Sequence, residues 1–183
     1  DFHRFVENCE QDWRVIHALG QALEGSDCPL KITSGTGMGN DGPTSLSRED
    51  HFKPDNHNPR VASEVAGDAL LAQGVDVRVV RLPQVHDTTR QGLITHYIQH
   101  AAEKGAVACI GEGNNCWSAA HVSDVARLYV QVLEQGERGR RYHAVAEEGV
   151  ATRKIAQVVA DKLGLPQISL SAAEADAHFG WFA

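Results

Sequence analysis

The chain has 183 residues and a formal net charge of −7, with 42% apolar and 22% charged residues. A chain of this length and composition can bury one sizeable core, as an ordinary globular protein does. The acidic balance argues against a nucleic-acid partner, since phosphate binding needs a basic face. No apolar run approaches the roughly 18 to 20 residues that a bilayer span requires, so no membrane partner is expected.

The four cysteines lie far apart in the sequence and form no CxxC pair. Three of them fall within or beside apolar segments, which predicts buried, reduced thiols. Reduced thiols are typical of cytoplasmic proteins, whereas a disulfide framework is typical of secreted ones. We therefore expect a cytoplasmic protein without disulfides. The cysteines are Cys9, Cys28, Cys109 and Cys116.

A helical pattern begins at the start of the chain, which opens at Asp1 without Met. Apolar residues recur at steps of three and four, the period of an amphipathic helix, and the helix is expected to end near Gly25. A chain that begins inside a structural element is expected to be a partial product whose beginning is missing. The recurring residues are Phe2, Phe5, Val6, Cys9, Trp13, Ile16, Leu19 and Leu23.

Helical and extended patterns then alternate along the chain. Asn58 and Pro59 provide one helix start. Ser123 and Thr152 are expected to cap two later helices. Strands that alternate with helices predict a doubly wound α/β fold with a mostly parallel sheet and right-handed crossovers. The predicted helices end at Gly74, Gly105, Gly136 and Gly164, and the predicted strands cover residues 30–33, 75–85, 107–110, 142–146 and 168–170.

The segment 75–85 is the strongest strand signal, because it is rich in valine and follows Gly74. Proline cannot donate to a sheet ladder, so the extended run is expected to end at its proline. In parallel α/β sheets, ligands bind beyond the carboxyl ends of the strands. The residues expected at that position are Pro83, Gln84, Val85 and His86.

A polar, glycine-rich loop follows the first predicted strand. Gly37, Gly39 and Gly42 have the GxGxxG spacing of a dinucleotide fingerprint, but Pro43 and a long polar loop follow instead of a helix. The pattern therefore favours a flexible active-site loop over a true fingerprint. Its hydroxyls either hydrogen-bond a substrate oxygen or satisfy the backbone of the turn. These hydroxyls belong to Ser34 and Thr36.

Three further positions carry side chains that suit chemistry or ion pairing. His86 suits acid/base catalysis near neutral pH, and the alternative is a loop histidine that bonds the backbone. Arg81 lies inside the predicted buried strand, so we expect it to pair with a carboxylate. His96 and His100 have the spacing of helical metal ligands, but no third ligand accompanies them, and we expect no metal.

Four segments, in this order, resemble motifs of one family. They are I-T-S-G-T-G at residues 32–37, V-R-V-V-R-L-P-Q-V-H at 77–86, I-G-E-G-N-N-C-W-S-A-A-H-V-S-D-V-A at 110–126, and R-Y-H-A-V-A-E-E-G-V-A-T at 141–152. They resemble the fifth strand, the sixth strand, the glycine turn with its following helix, and a late strand of the NAD-dependent epimerase/dehydratase family, the extended short-chain dehydrogenase/reductases. The chain resembles only the later part of this family, without the cofactor fingerprint.

The resemblance implies a partial Rossmann-like sheet with a small C-terminal substrate lobe, divided at residues 1–86 and 87–183. It implies NAD or NADP as cofactor, a small-molecule substrate and a homodimer. Cofactor-binding residues would be Pro83, Gln84 and Val85, and substrate-binding residues would be His86, Arg90, Trp117 and His121.

The catalytic Tyr-x-x-x-Lys of the family falls on Arg60 and Glu64, so this chain looks like an atypical member. A guanidinium stays protonated, and Arg60 is not an ordinary general base. The candidate catalytic residues are Ser34, Thr36, Arg60 and Glu64.

Three functions remain open at this point. The first is an NAD(P)-dependent oxidoreductase or sugar-epimerase-like enzyme that acts on a small carbonyl, hydroxyl or sugar-like substrate. The second is a non-catalytic NAD(P)-binding regulator that senses redox state on the same scaffold. The third is an unrelated α/β interaction module.

Overall fold

The computed structural model of the protein describes residues 4–42 and 45–180. Phe2 of the predicted opening helix and Pro43 of the predicted loop lie outside the described residues. The chain forms two compact units. Unit 1 comprises residues 1–83 and 123–144, and unit 2 comprises residues 84–122 and 145–183.

Helices and strands alternate over most of the described chain, as the sequence predicts. Four strand pairings are parallel and one is antiparallel, which confirms the mostly parallel α/β class. None of the described helices is long and apolar enough to cross a membrane. In chain order the elements are α1 (Phe5–Ala22), β1 (Leu30–Gly35), a 3-10 helix (Thr36–Gly39), α2 (Val61–Ala72), β2 (Val77–Leu82), β3 (Gln84–His86), α3 (Leu93–Lys104), β4 (Val107–Ile110), β5 (Cys116–His121), α4 (Val122–Gln135), β6 (Arg141–His143), β7 (Glu147–Ala151), α5 (Thr152–Leu163), β8 (Gln167–Leu170) and α6 (Ala172–Phe179).

The division into units differs from the single boundary at residue 86 that the resemblance implies. The chain passes between the units after residues 83, 122 and 144. Strand pairing is the physical reason, because β6 pairs with β2 and not with a strand of unit 2. Residues 123–144 therefore return to unit 1.

Unit 1 is built on a three-stranded parallel sheet in the order β1-β2-β6. Successive residues of a strand point to opposite faces of the sheet. Ile32 and Val77 pack in one apolar cluster with residues of α1 and α2. Lys31 and Thr33 point to the other face and bond Tyr129 of α4. Helices therefore cover both faces, which is the doubly wound arrangement that the sequence predicts.

The helices α1 and α2 approach each other closely at Gly20. A Cβ atom at this position would lie 2.3 Å from Cδ1 of Leu70. Leu70 is fully buried, in the same cluster as Ile16 of α1. Glycine is therefore required here by packing and not by backbone conformation.

None of the three predicted caps stands at the N-cap of its helix. Oδ1 of Asn58 accepts a hydrogen bond from the backbone N–H of Arg60 at 2.9 Å and holds the turn before α2, but the N-cap of α2 is Arg60, which makes no side-chain cap bond. Ser123 and Thr152 are not caps, because α4 and α5 already include them. Helix ends are often shifted by one or two residues in this way, and the two predictions were wrong by that amount.

Unit 2 contains two small sheets, β3-β5-β7 and β4-β8. Pro83 ends β2 as predicted, and β3 begins directly after it, so the segment 75–85 forms two strands and not one. The predicted turn at 111–117 gives way to β5 at its end, and the predicted strand 142–146 is reduced to β6. β7 was not predicted, because E-E-G-V-A is acidic, contains glycine and has low strand propensity.

All four cysteines are free, as the sequence predicts. Cys9 and Cys109 are buried within α1 and β4. Cys28 and Cys116 are exposed, so the prediction of buried thiols was wrong for these two. Cys28 lies in the connection before β1 and Cys116 at the first position of β5, where neither is covered by a helix face.

Candidate active site

The carboxyl ends of β1 and β2 lie side by side in unit 1 and bring three predicted site residues to one edge of the sheet. Gly35 pairs in register with Leu82, so the next residues, Thr36 and Pro83, lie at the same edge. Ser34 is only 3% exposed, whereas Thr36 begins the 3-10 helix and is half-buried. Thr36 is therefore the less buried of the two hydroxyl-bearing residues at this edge.

Arg60 is held by partners within unit 1. Its Nη1 donates to Oδ2 of Asp12 at 2.7 Å, and its Nη2 donates to the carbonyl of Thr33 at 2.8 Å. Oγ of Ser63 also donates to Asp12, at 2.6 Å. These bonds tie α1 to β1 at the start of α2. They favour a structural role for Arg60, and its role in catalysis stays a prediction.

Glu64 is fully buried and accepts hydrogen bonds from two guanidinium groups. Nε and Nη2 of Arg81 donate to its two oxygens at 2.8 Å, and Nε of Arg141 donates at 2.7 Å. Burial alone would raise the pKa of Glu64, but the hydrogen bonds and the charge of Arg81 outweigh burial and hold the pKa below its ordinary value. The surroundings of Glu64 therefore favour a structural role, and its catalytic role stays a prediction.

Arg81 pairs with a carboxylate, as the sequence predicts, and its remaining donors reach the segment between β1 and α2. Nη1 donates to the carbonyl of Arg48 at 2.9 Å, and Nη2 donates to the carbonyl of His51 at 2.8 Å. Nη1 also lies 3.4 Å from Nε2 of His143. A guanidinium only donates, so this contact is a hydrogen bond when Nε2 of His143 carries no proton. Arg81 thus fixes part of the polar loop against the end of the sheet.

We expect the free energy of unfolding to fall as the pH is lowered from 7.5 to 5, in part through His143. Burial, and then the Arg81 cation, hold the pKa of His143 below its ordinary value, so the folded protein keeps this ring neutral. The unfolded chain takes up the proton near the ordinary value of about 6.5. Stability is therefore lost below about 6.5 and down to the lower pKa of the folded state.

Denaturant unfolding at a series of pH values measures this effect. The variant His143→Gln should flatten the dependence between pH 7.5 and 5. The variant His57→Gln, at an exposed position, is the matched control and should leave the dependence unchanged. Equal slopes for the wild type and for both variants would contradict the assignment to His143.

Tyr129 of α4 makes two polar contacts with β1, and the sequence analysis did not single it out. Its hydroxyl lies 2.6 Å from Oγ1 of Thr33, and Nζ of Lys31 lies 4.5 Å from the centre of its ring. Burial raises the pKa of Tyr129, so the phenol stays protonated at neutral pH. Tyr129 is therefore a hydrogen-bond partner of β1.

In unit 2, Gln84 supports the loop that precedes α3. Its Nε2 donates to the carbonyl of Gln91 at 2.6 Å. A Cβ at Gly92 would lie 2.3 Å from this nitrogen, and Gly92 has a φ of +55°, so both space and backbone conformation require glycine there. Val85 pairs in register with Ala120 of β5. The predicted cofactor contacts of Gln84 and Val85 stay predictions.

Two predicted substrate-binding residues of unit 2 lie side by side. His86 and His121 pair directly in register on the parallel strands β3 and β5. Their ring centroids are 5.9 Å apart with an interplanar angle of 87°, and both side chains are half-buried. The pair places two groups that can donate or accept a proton at the carboxyl ends of neighbouring strands.

The other two predicted substrate-binding residues have different surroundings. Trp117 of β5 lines an apolar cavity of about 60 Å³. Arg90 is exposed in a turn before α3. Oδ1 of Asp87 accepts the backbone N–H groups of Thr89 and Arg90 at 2.6 and 2.5 Å and holds this turn. Trp117 therefore lines a pocket, whereas Arg90 lies in an exposed turn that hydrogen bonds hold in place.

The GxGxxG segment does not open an α-helix. Thr36–Gly39 forms a 3-10 helix, and the segment that follows is irregular where it is described. A Cβ at Gly39 would lie 2.6 Å from Nη1 of Arg81 and 2.6 Å from the carbonyl of Arg48. Gly39 thus makes room for the arginine and not for a pyrophosphate, in agreement with the interpretation that this is no true fingerprint.

The described ranges 4–42 and 45–180 contain no group of three or more His, Cys, Asp or Glu residues placed to hold a metal ion. His96 and His100 lie one turn apart on α3, as their spacing requires. The ring of His100 packs against His178 of α6 at a centroid distance of 4.9 Å. His100 of the predicted HxxxH pair therefore packs its ring between α3 and α6.

These observations define a doubly wound α/β protein with candidate polar residues at the carboxyl ends of its parallel strands. The chain belongs to the NAD dependent epimerase/dehydratase family, whose model matches residues 7–146. An uncharacterised protein of Schizosaccharomyces pombe is 40% identical and one of Saccharomyces cerevisiae is 33% identical, each over 99% of this chain. The chain spans 61% of the length of both relatives. Family membership removes the unrelated interaction module from the alternatives.

Solved structures share the fold at low sequence identity. A dTDP-glucose 4,6-dehydratase from Streptomyces venezuelae, solved with NAD bound, superposes with a TM-score of 0.65 at 18% identity, over 94% of this chain and 61% of that one. A UDP-glucuronic acid 4-epimerase from Bacillus cereus, in complex with UDP-glucuronic acid and NAD, gives a TM-score of 0.67 at 14% identity, over 93% and 61% of the two chains. The likeness establishes a Rossmann-like, partial α/β fold.

Proposed function

We propose that the protein acts as an NAD-dependent oxidoreductase or sugar-epimerase-like enzyme on a small carbonyl, hydroxyl or sugar-like substrate. The observation that carries this proposal is the family match over residues 7–146. The edge formed by Thr36 and Pro83 supports it, because both residues lie beyond the carboxyl ends of two parallel strands, where ligands bind in such sheets.

The described residues fit only part of a dinucleotide. A pyrophosphate is normally bound by a glycine turn that opens a helix, and the segment that contains Gly37 and Gly39 forms a 3-10 helix instead. We propose NAD as the cofactor, with NADP as the alternative, and the consecutive residues Pro83, Gln84 and Val85 as the contact segment. NAD would supply the hydride chemistry, and the residues of this chain would orient the substrate.

We propose different roles for the candidate side chains. Thr36 donates a hydrogen bond to a substrate oxygen, and the buried Ser34 supports its strand. Arg60 and Glu64 are positioning residues, because ion pairs already engage both. For unit 2 taken by itself, we propose that the remaining candidates are ligand contacts, with the histidines as acid/base groups: His86, His121, Arg90 and Trp117.

Calorimetric titration with NAD and NADP, followed by a turnover screen over sugars, ketones and aldehydes, tests this function. We expect cofactor binding and a change in nicotinamide absorbance with at least one substrate. Thr36→Val should lower turnover about tenfold, the loss expected for one hydrogen bond. Thr88→Val, at an exposed loop position, is the matched control. If the protein shows no cofactor binding and no turnover, with NAD or with NADP, the proposal is contradicted.

The second candidate is a non-catalytic NAD(P)-binding regulator on the same scaffold. The observation that favours it is the engagement of Arg60 and Glu64 in ion pairs, at the positions that match the catalytic Tyr and Lys of the family. Tight cofactor binding without turnover of any substrate would support the regulator and count against the enzyme.

We also propose that the protein is a homodimer that uses α1. This helix exposes Val6, Trp13, Val15 and Leu19, with exposed fractions between 40% and 57%. They lie in two pairs on different sides of the helix, Val6 with Trp13 and Val15 with Leu19, and we propose that a partner covers one member of each pair. Light scattering should show a dimer for the wild type and a monomer for the double variant Trp13→Glu with Leu19→Glu. A monomeric wild type would contradict the proposal.

The cellular compartment is proposed from the thiols. All four cysteines are free, which is typical of a reducing compartment, and we propose the cytoplasm. Cell fractionation tests this assignment, and recovery of the protein in a secreted fraction would contradict it.

A further inference from the structure

A partly open cavity of about 60 Å³ lies in unit 2, among α3, β4, β5, α5 and α6. Its walls are almost entirely apolar, and no charged side chain lines it. Trp117, which the family resemblance implies to be a substrate-binding residue, forms one wall. The lining residues are Ile94, Tyr97, Ala108, Cys109, Ile110, Trp117, Thr152, Ile155 and Phe179.

The polar atoms of the lining are directed to partners in the protein. Oη of Tyr97 donates to the carbonyl of Ala108 at 2.6 Å, and Oγ1 of Thr152 donates to the carbonyl of Asn115 at 2.8 Å. Burial raises the pKa of Tyr97, so this phenol stays neutral. A polar or charged group that entered the cavity would lose its water and find little to replace it, which is unfavourable.

The volume restricts the apolar group that fits. A water molecule occupies about 30 Å³ of liquid, and an engineered cavity of about 150 Å³ holds benzene. A cavity of about 60 Å³ is well below that size, so the part of a ligand that it encloses is about the size of a short branched alkyl group. Because the cavity is partly open, the rest of such a ligand can remain outside.

We propose that this cavity binds a short branched alkyl group of the substrate. The substrate would then be an aliphatic alcohol, aldehyde or ketone, and not the sugar nucleotide named for the structural neighbours. The assignment of the ligand as a substrate rests on the proposed function. The binding of the alkyl group rests only on the size and polarity of the cavity.

A series of alcohols tests the binding site on the wild-type protein. The indole N–H signal of Trp117 is followed by NMR and assigned from its loss in Trp117→Phe. The association constant should rise about fourfold for each added carbon from ethanol through 1-propanol to 2-methyl-1-propanol. Cyclohexylmethanol should bind no more tightly than 2-methyl-1-propanol. A flat series, or a response to UDP-glucose at lower concentration than to 2-methyl-1-propanol, would overturn the proposal.

Variants of the lining provide a second test. Ile94→Phe should fill the cavity and weaken binding of 2-methyl-1-propanol at least tenfold, whereas Ile94→Ala should enlarge it and strengthen binding of cyclohexylmethanol. Val158→Ala on the exposed face of α5 is the matched control and should change neither. Unchanged binding in both folded Ile94 variants would overturn the proposal, and the alcohol series decides if Ile94→Phe does not fold.

The two proposals fail separately. Alcohol binding at Trp117 without any binding of NAD or NADP would contradict the proposed enzyme function and support the proposed alkyl site. Cofactor binding and turnover of a sugar nucleotide, with no alcohol response, would support the proposed enzyme function and contradict the proposed alkyl site.

Discussion

The variant Arg81→Ala is expected to lower the free energy of unfolding by about 3–5 kcal/mol, the usual cost of removing one partner of a buried ion pair. Arg81 and Glu64 are both 0% exposed, so the carboxylate would be left buried with Arg141 as its remaining cation. The carbonyls of Arg48 and His51 would lose their donors as well. Denaturant unfolding, monitored by circular dichroism, measures the loss.

Two further variants sharpen this experiment. Arg48→Ala removes an exposed arginine that pairs with Asp50, and it should leave the midpoint of unfolding almost unchanged. The double variant Arg81→Met with Glu64→Leu replaces the buried charges by apolar side chains and should recover a large part of the loss. If Arg81→Ala is no more destabilising than Arg48→Ala, the buried ion pair does not stabilise the fold as expected.

Leu70→Ala is expected to cost about 2–5 kcal/mol of unfolding free energy, through lost burial and the cavity that remains. Leu70 is 0% exposed and fills the space that Gly20 leaves between α1 and α2. The same unfolding assay measures the loss. A change below about 0.5 kcal/mol would place this side chain outside the core of unit 1.

The contact also predicts how two substitutions combine. Gly20→Ala alone should cost about 1–3 kcal/mol, because its methyl group would overlap Leu70. In the Leu70→Ala variant the added methyl group enters the space that Leu70 has left. The double variant should therefore lose less unfolding free energy than the sum of the losses of the two single variants. Gly37→Ala, whose Cβ would meet nothing within 4 Å, is the matched glycine control and should change little. Additive losses would contradict the direct contact.

The sequence predicts those elements of the fold whose local pattern agrees with their environment. The valine-rich segment that became β2 is buried on both faces, and Pro83 ends it for a covalent reason. β7 shows the limit, because Val150 is the one residue of E-E-G-V-A that favours a strand. Its conformation depends on antiparallel pairing with β5, a partner about thirty residues earlier whose position a local pattern does not reveal.

The same distinction applies to the candidate site. A carboxylate partner for Arg81 could be predicted, because a charge inside a buried strand must be paired. The carbonyls of Arg48 and His51 could not, since any residue type supplies a carbonyl and only the path of the loop brings these two to Arg81. The bond between Arg60 and Asp12 joins two helices that are far apart in the sequence, so spacing gave no signal for it.

Because the chain leaves unit 1 and later returns to it, the strands of the unit 1 sheet are synthesised at separate times. β2 is completed well before β6, and residues 84–122, which belong to unit 2, are made in between. Until Arg141–His143 leaves the exit tunnel, the edge of β2 that pairs with β6 has no strand to bind. An open strand edge can recruit another nascent chain, so this interval is when the protein most needs a chaperone or a low local concentration.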